Sequence, residues 1–232
     1  RRQMTEDHFA QEYECSFEAA IQGAYYARQL EATRLAGRIK PLVWEPSIPV
    51  DTWWDLGFTD STAIIFGQRV GRELHLIDYV ESRFQDLAYY AKELRDRPYL
   101  YGRHFLPHDA GYHQQAAAGK PIETQLHALG VKPTMVLEKN NPLDGINEAR
   151  LIFSRIWFDS AKCEALVDAL SAYRAAYDEK KQEFSREPQH DWSSHGADAF
   201  RYMAISLRDL TGPSQTNAGP AVGLDFNPTR KP

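Results

Sequence analysis

The stretch "WWDLGFTDSTAIIF", Trp53 to Phe66, decides how this chain is read. An apolar approach ends on Asp55, the chain turns at Gly57, a second acid stands at Asp60, and a β-branched apolar run resumes. That is the pattern of two strands joined by a short connection. A strand core rarely carries a carboxylate, because an ionised acid buried without a partner is costly. Asp55 therefore needs a partner.

Outward from this stretch, three strands are expected in quick succession: Val50–Gly57, Ser61–Val70 and Glu73–Ser82, with "VGRE" as a tight turn. The third alternates, with Leu74, Leu76 and Asp78 against His75, Ile77 and Tyr79. Then the period changes to that of a helix, with Phe84, Leu87, Ala88, Ala91 and Leu94 on one face. "RHFLPHD" reads as a strand ending at Asp109. A helix follows from Pro121 through Ile122, Leu126 and Leu129 to Gly130, and "VKPTMVL" is another strand. Two amphipathic helices are expected next. One carries Ile146, Ala149, Ile152, Phe153 and Ile156, the other Cys163, Leu166, Val167, Leu170, Tyr173 and Tyr177. A polar loop over 178–192 leads to a last helix from about His195 to Leu210. The order β-β-β-α-β-α-β-α-α-α implies an α/β fold, an antiparallel meander followed by parallel strands in one mixed sheet flanked by helices.

The chain has 232 residues, 43% hydrophobic and 25% charged, which suits one substantial core. No apolar run approaches the roughly 20 residues of a membrane span, and no signal-peptide pattern opens the chain. It begins Arg1-Arg2-Gln3 in mid-phrase, so it is expected to be a piece of a longer protein. Residues 6–40 have helix-favouring composition, and Pro41, Pro46 and Pro49 separate them from the strand-forming stretch. The expected division is 1–47 as a connector or arm, 48–210 as the main domain, and 211–232 as a flexible tail rich in Pro, Gly, Asn and Thr. Cys15 and Cys163 form no metal or disulfide spacing and suit a reducing compartment. The net charge of −5 argues against a tight, non-specific grip on nucleic acid by this piece alone. A metal site built from acids would lower net charge too.

Three acids occupy strategic places. Asp55 is at the first strand, Asp109 closes the fourth, and Asp198 lies in the first turns of the last helix, off its stripe of Phe200, Ala204, Leu207 and Leu210. In an open α/β sheet, ligands collect beyond the strand carboxyl ends, so the three can converge there. Taken singly, each has a bland reading: a turn residue for Asp109, or a carboxylate favoured at a helix start for Asp198. Together they form a carboxylate set that repels itself unless a cation intervenes. Mg²⁺ or Mn²⁺ is the natural partner, and two such ions about 3.5–4 Å apart form the clamp for phosphodiester cleavage.

At these residues the chain resembles the nuclease domain of the large terminase subunit of tailed bacteriophages, an RNase H-like endonuclease. The stretches that carry the resemblance are "WWDLGFTDSTAIIF", "FLPHDAGYHQQAAAGKPIETQLHALG", "NPLDGINEAR" and "SHGADAFRYM", spread over roughly residues 50–208. "HFAQEYECSFEAAIQGAYY" resembles the junction where that family's ATPase domain hands over to the nuclease. The resemblance implies a two-metal enzyme that cuts concatemeric double-stranded viral DNA in the cytoplasm of the infected bacterial host. Carried over by position, Asp55, Asp109 and Asp198 become catalytic metal ligands, with Asp60 as an auxiliary or outer ligand. His195, one helical turn before Asp198, could orient water or relay a proton; a surface histidine at a helix start is the bland alternative. His108 reads as structural. The ATPase domain of the full-length chain, the small terminase subunit and the portal protein are the implied partners. Arg103, Lys120, Lys139, Arg150 and Arg201 are the candidate DNA-tracking residues, and the tail is a portal-docking peptide or a spacer.

One departure stands out: no G-x-x-x-x-G-K-[ST] phosphate loop exists in this chain. "AAAGKP" lacks the hydroxyl residue that would hold Mg²⁺ and reads as a helix entry, so no ATP hydrolysis is expected here. "DLGFTDST" also resembles the phosphate hairpin of actin-like and sugar-kinase ATPases, but no second Gly-rich hairpin comes after Asp109. A junction resolvase or transposase-type nuclease would share the chemistry. A non-catalytic docking module of the packaging machine is the third alternative.

Overall fold

The computed structural model of the chain describes residues 23–57, 60–111, 120–178, 181 and 183–211. The expectations for residues 1–22 (Cys15 included), 112–119 and the tail from 212 lie outside them.

Helix α1 (Ala27–Leu35) precedes a short strand β1 (Ile39–Lys40). Strands β2 (Val50–Asp55), β3 (Ser61–Val70) and β4 (Glu73–Arg83) form the expected meander. Helix α2 (Leu87–Arg95) starts on an Asp86 cap whose carboxylate accepts the Tyr89 amide at 2.8 Å. Strand β5 (Tyr101–Leu106), helix α3 (Ile122–Ala128) and strand β6 (Thr134–Val136) come next. Helix α4 (Pro142–Ile152) opens with Asn141 as its cap and proline in its first turn. Strand β7 (Ile156–Asp159), helix α5 (Glu164–Ala172), the hairpin β8 (Ala175–Asp178) with β9 (Glu183–Pro188), and helix α6 (Ser194–Thr211) complete the elements among the described residues.

The seven-stranded sheet runs β1-β7-β4-β3-β2-β5-β6, and β3 alone runs against the others. Six strands therefore send their carboxyl ends to one edge, and Asp55 stands at that edge. One face packs Trp53, Ile65, Leu76 and Phe105 against α1, α4, α5 and α6; the other packs Val50, Trp54, Ile64 and Phe66 against α2 and α3. Trp53 ties its strand to the last helix, its indole N–H donating to Ser206 Oγ at 2.7 Å.

Several local expectations need correcting. Asp109 does not end a strand: β5 stops at Leu106, and Asp109 sits in a 3-10 turn (His108–Gly111) beyond Pro107. The helix expected to include Ile156 ends at Ile152, and Ile156–Asp159 pairs in parallel between β4 and β1. Its apolar residues continue the helical spacing of Ile146 and Ala149, so periodicity alone cannot separate the two. The second helix ends at Ala172, leaving Tyr173 extended and Tyr177 in β8, and the polar loop contains β9. The alternation along β4 also breaks. A bulge opposite Phe66 and Gly67 shifts the register, so Leu74, Leu76 and Tyr79 share one face while Ile77 turns to the other.

Thr52 and His104, paired across β2 and β5, give a pH prediction. The Trp54 indole donates to Thr52 Oγ1 at 2.8 Å, and the same oxygen shares a hydrogen bond with His104 Nδ1 at 2.7 Å. Burial pushes the His104 pKa down to about 4, so the folded protein keeps this imidazole neutral at pH 7. The unfolded chain takes up this proton near pH 6.5. Stability from this site is therefore full above pH ~6.5 and is lost as pH falls toward ~4, by about 2–3 kcal/mol. Melting temperatures between pH 7 and pH 4 should fall more steeply for wild type than for His104→Gln. Parallel curves would refute the assignment.

Candidate active site

Asp55 lies two residues after Trp53 and so faces α6. Its partner is His195, whose Nδ1 lies 3.4 Å from Asp55 Oδ2. The other ring nitrogen, Nε2, lies 3.1 Å from Asp60 Oδ1, so the half-turn between β2 and β3 supplies two acids to one imidazole. Asp60 is held further by Arg83 and His190, each at 3.4 Å. Asp191 starts the turn that aims His195, accepting the Ser193 amide on its carboxylate and the Ser194 amide on its backbone oxygen.

Asp198 comes one turn later on α6. Its Oδ1 accepts from Arg201 Nε and Nη2 at 3.3 and 3.2 Å and from the Tyr173 hydroxyl at 3.3 Å. Asp109 is exposed in the 3-10 turn that follows β5. Burial, first, and then the charges of Asp55, Asp198 and Asp109 push the Tyr202 hydroxyl up, against the pull of Arg201.

The site is short of positive charge. Burial and the like charge of Asp198 push the Asp55 carboxyl up to about 6, although the hydrogen bond and charge of His195 and the charge of Arg201 oppose this. His195 is raised in turn, chiefly by its bond to Asp55 and against the effect of burial. Burial works against ionised Asp60, but the Ser61 amide and the charges of His195, Arg83 and His190 prevail and hold its carboxyl below the usual range.

A fifth acid escaped the sequence reading. Glu81 stands opposite Ala63, as Asp55 does from the other side, so both carboxylates lie on one face two strands apart. The bulge in β4 is what brings it there. Tyr79 donates its hydroxyl to Glu81 Oε2 at 2.6 Å and packs on Gly196, where a Cβ would fall 2.7 Å from that hydroxyl. Glu81 also helps raise the pKa of His195. No spacing rule marks this residue, because a bulge is invisible to a strict two-residue period.

Of the candidate basic residues, Arg103, Lys120, Lys139 and Arg150 are exposed, with Arg150 engaged to the Tyr25 carbonyl. Arg201 is 5% exposed, which corrects its reading as a residue that tracks DNA. His108 lies in the 3-10 turn beside Asp109.

The donor set suits a hard divalent cation: carboxylates, with more negative than positive charge among them. It is not a closed shell. Among the described residues, no three His, Cys, Asp or Glu side chains are close enough together to hold an ion.

No protein-family model matches the chain. The chain is 27% identical over 218 residues to the large terminase subunit of Escherichia phage T5, covering 89% of this chain but 47% of that protein. It thus spans about half the length of that relative. The P22 large terminase nuclease domain superposes with a TM-score of 0.55 at 18% identity, over 74% of this chain and 89% of that one. The large terminase nuclease domain of bacteriophage SPP1, solved with bound Mn, gives 0.51 at 16% identity, over 69% and 86%. The chain is therefore similar in sequence to a large terminase subunit and has the RNase H-like fold of the terminase nuclease domains.

Proposed function

We propose, for a chain with the fold of the large-terminase nuclease domains, a divalent-metal-dependent endonuclease that cuts double-stranded DNA during viral genome packaging. The reading is supported by Asp55 at the carboxyl edge of the sheet beside His195, with Asp198 near enough to push its carboxyl up, in a chain with the fold of the terminase nuclease domains. Asp55, Asp109 and Asp198 would hold Mg²⁺ or Mn²⁺, and a pair of ions would activate water and stabilise the leaving oxygen. His195, held between Asp55 and Asp60, would orient the attacking water or relay a proton. Asp60 serves that histidine from outside the inner set. The Mn bound in the SPP1 domain supports the choice of cation.

By the same reasoning this chain is the nuclease portion of a longer packaging protein whose ATPase part, small terminase partner and portal lie elsewhere, acting in the host cytoplasm. Residues up to 47 would be the connector and 48–210 the nuclease. No helix among the described residues is long and apolar enough to cross a membrane. A non-catalytic docking module is the second reading, favoured by the lack of a preformed three-ligand cluster among the described residues.

The purified chain should nick or linearise plasmid DNA with Mn²⁺ or Mg²⁺ and stop in excess EDTA. Cutting that persists undiminished in chelator would exclude the metal mechanism; no cutting under any metal would favour docking. With a net charge of −5, DNA affinity should be weak and should rise as salt is lowered.

A further inference from the structure

The stretch "NPLDGINEAR" takes no part in the proposed chemistry, and Arg201 is a buried cation beside it. Arg201 Nη1 donates to Asn140 Oδ1 at 2.8 Å, while Nε and Nη2 reach Asp198 Oδ1. The guanidinium carbon lies 4.7 Å from the Tyr202 ring centroid. The side chain crosses α4 at Gly145, where a Cβ would fall 2.2 Å from Arg201 Cγ and 2.6 Å from Cδ. No other residue type fits that crossing without moving Arg201. The Tyr173 hydroxyl closes on the same carboxylate oxygen. Nε, Nη2 and the Tyr173 hydroxyl all converge on Asp198 Oδ1, and among the described residues Oδ2 accepts no bond.

We propose that Asn140, Gly145 and Arg201 form a cradle that positions Asp198, fixing Oδ1 so that Oδ2 is presented to the cation. Arg201 is then a positioning residue and not a DNA contact. The inference rests on the nuclease reading. A ligand carboxylate left free to rotate spends little time aimed at its metal, and partners that orient such ligands commonly matter about 10–100-fold in affinity or activity. An arginine that served only to balance charge would need neither the glycine crossing nor the Asn140 anchor.

The test is a graded series on the purified chain: Arg201→Met, Arg201→Lys, Gly145→Ala and Asn140→Ala. Each is checked for folding by its melting transition and assayed for plasmid cutting against Mn²⁺, DNA and salt concentrations. Arg201→Met and Gly145→Ala should lower kcat about 10–100-fold and raise the half-saturating Mn²⁺, with KM for DNA and the salt slope unchanged. Arg201→Lys should recover only part, since one ammonium cannot hold Asp198 and Asn140 together in the same geometry. Asn140→Ala, at a half-buried loop position, should show the same trend more weakly, and it decides the matter if the buried variants fail to fold. Unchanged kcat and Mn²⁺ dependence would overturn the proposal. So would a rise in KM with a shallower salt slope at constant kcat, which marks a DNA contact, or complete rescue by lysine. If wild type does not cut, or Asp198→Asn still does, the nuclease reading itself fails. Calorimetric Mn²⁺ titration of the same variants then tests the cradle alone, and unaltered binding overturns it.

Discussion

Asp109→Asn is expected to reduce metal-dependent cutting by at least about 10³-fold, roughly 4 kcal/mol of transition-state stabilisation. The substitution is informative because Asp109 is exposed in a 3-10 turn and lies outside the packed layers. An amide of the same shape there should change stability by no more than about 0.5 kcal/mol. Lost cutting with an unchanged melting transition is therefore a loss of chemistry. The physical reason is that a neutral amide oxygen is a poor ligand for a hard cation, which favours charged carboxylates. Asp60→Asn should cost less, because Asp60 reaches the site through His195 and is already shared with Arg83 and His190. Plasmid cleavage with Mn²⁺ at several concentrations separates the two. Equal and total loss in both variants would make Asp60 a direct ligand, and full activity in Asp109→Asn would remove Asp109 from the site.

The parts of this site that could be read in the sequence are those that depend on local pattern. Asp55 breaks an apolar strand and so announces itself; the buried imidazole found beside it is the partner that such a break demands. The meander was legible because β-branched runs and a Gly71 turn with φ of +62° leave little choice. What stayed hidden depends on long-range geometry. Glu81 reaches the site through a bulge that changes which face a residue takes. Strand β7 keeps the apolar spacing of the helix before it, and only its partners β4 and β1 make it a strand. The hairpin β8–β9 forms its own two-stranded sheet in polar sequence, where no alternation betrays it. Arg201 looks like a surface cation on a helix, and the absent side chain at Gly145, 56 positions earlier, is what lets it go inside.

Arg201 also reverses a stability argument that the acids alone would suggest. Three carboxylates without a cation repel, so removing Asp198 should stabilise the metal-free protein if nothing else faced it. Something does: Arg201, whose side chain is 6% exposed against 27% for Asp198. Deleting the acid leaves a buried guanidinium with Asn140 as its remaining hydrogen-bond acceptor, and breaking such a pair from the carboxylate side costs about 3 kcal/mol or more. Relief of repulsion with Asp55 offsets part of this. Asp198→Ala is therefore expected to melt below wild type in EDTA, by roughly 5–10 °C for a domain of this size. Arg201→Met should cost less, since the more exposed Asp198 carboxylate can turn toward water. The double variant Asp198→Ala/Arg201→Met should recover most of the loss, because no buried charge is left unpaired. Mn²⁺ should raise the wild-type transition by mass action and leave Asp198→Ala nearly unmoved. Thermal melts of the four proteins, with and without Mn²⁺, check both halves. Asp198→Ala melting above wild type without metal would mean that repulsion outweighs the Arg201 pair. An equal Mn²⁺ shift in both would mean that Asp198 holds no metal.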